Sequence, residues 1–224
     1  IPPATDTWND GPAAKQAPAF AFGFSGTTQS LIRGTGTGTI SLCADDADEL
    51  VAGNWATDYQ ILNPGQIVNS ITTLGRVLYV MGPDGCYTTD EVGNGVQLTP
   101  ELGVAFRSTN GLNGFGWKGI VFFPHGAGLY GIFGDSPRAV GIEKFPAYDG
   151  TIRGRVTAMT ALGEWLYLAI YDGTDSWILA ARPRKDGEPG FSPFIFYSLE
   201  QITATFIGQL FLAGGYDNLN PRLY

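Results

Sequence analysis

Residues that carry chemistry are scarce in this chain. It has one histidine, two cysteines and two methionines, and Asp, Glu, Lys and Arg together make 15% of its 224 residues. An average soluble domain carries about 25%. A single histidine excludes, within this chain, a zinc site built on several histidines. That residue, His125, lies in Pro124-His125-Gly126 and reads as a loop residue. No Gly-x-Ser-x-Gly elbow accompanies it, so a serine-triad reading has no support. Lys and Arg number 13 against 21 acidic residues, for a net charge of −8. No basic block exists for phosphate contacts, which argues against nucleic acid as a partner. No apolar run approaches the roughly 20 residues of a spanning helix, so membrane insertion is not expected. No metal site and no cofactor is expected. Cys43 and Cys86 fall in different repeats and read as two buried free thiols rather than a disulfide. The chain begins Ile1-Pro2-Pro3 without Met, which fits a processed start or an internal piece of a longer protein.

What is abundant is turn residues and short apolar runs. The 32 Gly and 14 Pro sit between those runs and read as turns of an all-β fold. Leu78-Tyr79-Val80, Phe122-Phe123, Leu166-Tyr167-Leu168 and Leu210-Phe211-Leu212 recur with steps of 43, 45 and 44 residues, measured on Tyr79, Phe122, Tyr167 and Phe211. A steady period of this size marks a repeat architecture, and β-propeller blades have about this length. The unit from Ile67 to Leu102 holds four strand candidates, the composition of one blade. The next unit offers strands at Gly119–Phe123 and Gly128–Phe133, and an outer strand at Ala139–Phe145. The third offers Val156–Leu162, Trp165–Tyr171, Trp177–Ala181 and Phe194–Tyr197. The fourth offers Ile202–Ile207 and Leu210–Ala213. Runs that are apolar throughout, such as Leu166–Ile170, suit strands covered on both faces.

The sequence therefore predicts an all-β fold, a β-propeller of four-stranded blades, about five of them or a fragment of a larger ring. Residues 1–224 read as one domain. Within it, 1–66 form a divergent first blade with an N-terminal closing segment, and 67–224 form regular repeats of about 44 residues. Phe20–Phe24 and Ser30–Arg33 read as a hairpin. The last copy stops short, and a strand from the opposite terminus is one way to complete it.

The recurring apolar strand followed by Pro83-Asp84-Gly85-Cys86-Tyr87 or Ala127-Gly128-Leu129-Tyr130, and then an acidic or Gly turn, resembles β-propeller repeats of bacteriophage virion and tail proteins. The resemblance covers about Ile67–Tyr224. It implies a non-enzymatic structural or adhesive part of a virus particle, located in the virion or outside the cell. The implied partners are other virion subunits and a host-surface glycan or protein. Separately, Ser108-Thr109-Asn110-Gly111 with Trp117 is similar to the Asp-box turn of sialidase-like propellers. It departs from that motif in having Asn for Asp, a displaced aromatic and a single copy.

Candidate site residues follow from turn position. Asp172, Asp175 and Asp217-Asn218 fall in equivalent turns of consecutive repeats. Paired carboxylates can hydrolyse glycosides at suitable separations. Asp and Asn are also favoured in turns because their side chains bond the local backbone. Trp55, Tyr59, Trp117, Tyr171, Trp177 and Tyr216 lie beside turns, where aromatics stack on sugars or anchor a partner when exposed, and otherwise fill the core. Asp45, Asp46, Asp48 and Glu49 form the densest acidic cluster. It lacks EF-hand spacing and reads as a solvated turn. Gly34-Thr35-Gly36 reads as a flexible edge, since no βαβ context supports nucleotide binding. The alternative to a scaffold is a secreted carbohydrate-binding or glycoside-hydrolysing propeller.

Overall fold

The computed structural model describes residues 19–25, 28–44, 51–89, 95–99, 114–125, 128–134, 136–140, 154–187, 193–208, 210, 212–213 and 222–223. The fold is all-β, with four antiparallel four-stranded sheets and one two-stranded sheet. The chain divides into two compact units, Ile1–Phe106 and Arg107–Tyr224.

In the first unit, β1 (Ala19–Ser25), β2 (Thr28–Gly34), β3 (Thr39–Leu42) and β4 (Tyr59–Gln60) form the first sheet. β5 (Ser70–Leu74), β6 (Val77–Gly82), β7 (Gly85–Thr89) and β8 (Gly95–Gln97) form the second. In both, each strand pairs with the next in sequence, so each sheet is a meander. The sheets meet through their first strands, with β1 lying against β5. Ile32 and Ile40 of the first sheet pack with Ile71, Leu78 and Val80 of the second, and Leu62 and Val68 of the connection close the same core. Two glycines permit this approach. A Cβ at Gly23 would collide with Thr73, and one at Gly34 would collide with Val68.

In the second unit, β9 (Phe115–Trp117), β10 (Ile120–His125), β11 (Gly128–Phe133) and β12 (Ser136–Ala139) form the third sheet. β13 (Arg155–Leu162), β14 (Trp165–Tyr171), β15 (Ser176–Pro183) and β16 (Phe194–Ile202) form the fourth. β17 (Leu212–Ala213) and β18 (Arg222–Leu223) form the two-stranded sheet. One face of the fourth sheet, carrying Leu166, Leu168, Ile170 and Leu179, packs on Phe122 and Leu129 of the third. Its other face, carrying Ala158, Ala169, Ile178 and Ile202, packs on Ile207 and Leu210. Cover on both faces explains why β14 is apolar throughout.

The repeat has a structural counterpart. Tyr79, Phe122 and Tyr167 are each the third residue of the second strand of their sheet, paired with Thr72, Phe115 and Thr160 of the first strand. The residues just before them, Leu78, Val121 and Leu166, are fully buried. The first hairpin of each of these three sheets closes through two residues, Gly75-Arg76, Lys118-Gly119 and Gly163-Glu164. Each loop carries a glycine at positive φ, the geometry that suits tight hairpins. Phe211 lies outside the described residues.

A second rule recurs. The turn between the second and third strands holds a connection between sheets. In the first sheet that turn is 35–38, and Ile61 and Leu62 both donate to the Gly38 carbonyl while Val68 donates to that of Thr35. In the fourth sheet it is 172–175, described below.

Several expected boundaries move. Ile202–Ile207 is not a strand: β16 runs on to Ile202, and 203–208 is unpaired because side chains, not a neighbouring strand, satisfy its backbone. The outer strand of the third sheet begins at Ser136 rather than at the expected Ala139, and Pro137 is tolerated there because β12 is an edge strand. β10 continues through the expected Pro124-His125 turn. β5 begins at Ser70 rather than Ile67.

Two β-bulges mark the fourth sheet. Thr157 is the extra residue of β13 between the Val156–Ile170 and Ala158–Ala169 pairs. Leu199 is the extra residue of β16 between the Ser198–Leu179 and Glu200–Ile178 pairs.

Candidate functional site

Asp172 and Asp175 sit where the sequence places them, in the turn between β14 and β15. Both carboxylates are engaged in holding backbone. Asp172 Oδ1 accepts the N–H groups of Thr174 and Asp175, each at 2.8 Å. These backbone bonds hold its carboxyl below the usual carboxylate range. Asp175 Oδ1 accepts the Ala204 N–H at 2.9 Å, and Oδ2 accepts Gln201 Nε2 at 2.9 Å. A general acid for glycoside cleavage needs a raised pKa. Asp172 is shifted the opposite way, which matches the turn role. Tyr171 donates its hydroxyl to the Gly173 carbonyl at 2.6 Å, and its ring meets Phe206 edge-on at 5.0 Å. Asp217, Asn218 and Tyr216 lie outside the described residues, so their approach to this turn is not described. The acidic cluster Asp45–Glu49 and Ser108–Gly111 also lie outside them.

The turn-side tryptophans fill interiors. Trp177 is only 8% exposed, within β15, and offers no open ring face. Trp55 is equally buried and bridges Cys43, with the Arg33 guanidinium 5.6 Å above its ring. Trp117 is half-buried in an aromatic group with Phe122 at 6.2 Å and Phe194 at 6.4 Å. Tyr59 is half-buried in β4. Large rings beside turns are drawn inward here because each four-stranded sheet has a neighbour to pack against. Cys43 and Cys86 are buried free thiols, and burial pushes the Cys86 thiol up to about 12.

Three clusters escape a reading of the sequence. The first surrounds Arg33, whose side chain is 3% exposed. Its Nε donates to Ser41 Oγ at 2.7 Å, and Nη2 meets Asp58 Oδ1 at 2.5 Å. Arg33 thereby ties β2 to β3 and to the segment leading into β4. The second surrounds Asp84, in the turn between β6 and β7. Its Oδ2 accepts Asn63 Nδ2 at 2.6 Å and the Tyr87 hydroxyl at 2.7 Å, and the Gln66 amide donates to Oδ1 at 2.6 Å. Burial, then Asp84, push the Tyr87 phenol up. The third is an aromatic corner on the fourth sheet. Trp165 and Tyr197 meet at 5.6 Å and 67°, and Tyr197 is 41% exposed. Period and turn signals do not reveal these groups, because each joins residues far apart in sequence.

Among the described residues, no group of three or more His, Cys, Asp or Glu side chains is arranged to hold a metal ion, and no helix is long and apolar enough to cross a membrane. No family model, no curated protein and no solved structure matches this chain.

Proposed function

We propose that the chain is a β-propeller scaffold of a virus particle that presents its loops to neighbouring subunits or to a host surface. The observation that carries this reading is the stacking of meandering four-stranded sheets within each unit. Polar groups at the turns serve rigidity: Asp172, Asp175 and Asp84 all accept hydrogen bonds from the protein itself. That use favours a structural role over hydrolysis. The viral setting rests on the resemblance of the repeats to phage virion propellers. Quantitative mass spectrometry of purified particles tests it, with a fixed copy number per particle expected. Finding the protein only outside particles overturns the viral setting. Small-angle scattering tests the ring: a compact chain of this length has a radius of gyration near about 17 Å. A clearly larger value, from two separated bodies, rejects the propeller.

A second reading, carbohydrate binding, is favoured by the Trp165–Tyr197 corner, where Tyr197 is exposed and Trp165 half-buried, rather than by the acidic turn. Glycan-array binding that falls at least about tenfold in Tyr197→Ala, a loss of about 1.4 kcal/mol, supports it. An array with no binding at all rejects it.

A further inference from the structure

The contacts of Asp175 give it a task other than ligand binding. After β16 the chain runs through 203–208 without strand pairing before β17. Side chains of the fourth sheet meet four backbone groups of this run. Asp175 accepts the Ala204 N–H. Ser176 Oγ donates to the Thr205 carbonyl at 2.7 Å and accepts the Ile207 N–H at 3.2 Å. Thr157, re-aimed by the bulge in β13, donates to the Ile207 carbonyl at 2.5 Å. Among the described residues, no backbone-to-backbone bond ties 203–208 to the sheet. Ala204 has φ +53°, a conformation unusual for a residue with a Cβ, and the N–H held by Asp175 is its own. Beneath the run lie Ala158, Ala169 and Ile178, and β17 rests against β13.

We propose that residues 203–208 are a releasable strap with Asp175 as its latch, through which the β17–β18 pair lifts from the fourth sheet without unfolding that sheet. Sheet strands are held by a continuous ladder. The strap is held by a few side-chain bonds, one of them to a carboxylate for which water competes, and by the packing of Phe206 on Tyr171 and of Ile207 on the sheet face. Segments of this kind open locally at lower free energy than the elements they cover. Lifting the strap uncovers Ala158, Ala169 and Ile178. This device goes beyond the scaffold reading and does not depend on a viral setting.

Native-state hydrogen exchange on the full chain tests it, comparing the wild type with Asp175→Ala and Ser176→Ala. The telling amide in Asp175→Ala is Ile207, whose own acceptor is untouched. It is expected to exchange about tenfold faster, the effect of losing one charged hydrogen bond, while amides in the middle of β14 and β15 stay within about twofold. Ser176→Ala, which removes the anchors of Thr205 and Ile207, gives the same pattern. Unchanged exchange at Ile207 in Asp175→Ala overturns the latch. Acceleration of the β14 and β15 amides in step with Ile207 overturns the independent strap.

Discussion

Arg33 shows what a single residue does here. A chain with few charges has placed a guanidinium in its interior, and three neighbours offset the loss of water: Asp58, Ser41 and the Trp55 ring. Breaking a buried pair by removing one partner costs about 3–5 kcal/mol. Asp58 is 37% exposed and can rehydrate, so the expected loss for Arg33→Ala is smaller, about 1–3 kcal/mol. Urea unfolding followed by tryptophan fluorescence measures it. The double variant with Asp58→Ala is expected to lose less than the sum of the two single losses, since both share one interaction. Cys86 makes a second case. With its thiol pushed up to about 12 and fully buried, it is expected to resist alkylation at neutral pH until the chain is unfolded, which mass spectrometry of iodoacetamide-treated protein reads directly.

At the scale of elements, glycines and turn carboxylates set how sheets meet. Gly34→Ala drives a Cβ into Val68, between the first and second sheets, and is expected to cost about 1–3 kcal/mol, the usual range for overpacking. Thermal unfolding of that variant checks it. The Asp172 turn has a pH signature. Its carboxyl is held below the unfolded value of about 3.9, so its stabilisation is full above that pH and is lost as pH falls through the lower folded value. A fall in the protection of the Thr174 and Asp175 amides on acidification, measured against the intrinsic exchange rate at each pH and absent in Asp172→Ala, is the expected result. Elements of this kind were the most legible part of the sequence. β14 and β11 coincide with the runs Trp165–Tyr171 and Gly128–Phe133, because an apolar strand between Gly or Asp turns leaves little freedom of placement. Ile202–Ile207 misled, since an apolar, β-branched run has the same composition whether a strand or a set of side-chain oxygens satisfies it. The partners of Asp175 at Ala204 and of Arg33 at Asp58 lie 29 and 25 residues away, beyond any local pattern. The candidate site was thus legible in its positions and in the turn role of Asp172, and illegible in the reach of Asp175 to Ala204.

At the scale of the whole molecule, the formal charge of −8 and an isoelectric point near 4.5 make solubility depend on pH. Self-repulsion keeps such a chain dispersed at neutral pH and vanishes where the net charge does. Light scattering across an acid titration is expected to peak near the isoelectric point and to fall again on its acid side. The bulge at Leu199 bears on the same property by another route. β16 borders its sheet for nine residues, and Leu199 stands 54% exposed on it. A smooth margin of that length would template the addition of a foreign chain, mirror-matched rung by rung. One surplus residue puts the rungs out of step halfway along, so two molecules meeting at this border cannot zip together for more than a few residues. Excising Leu199 would restore the even spacing and invite fibre growth.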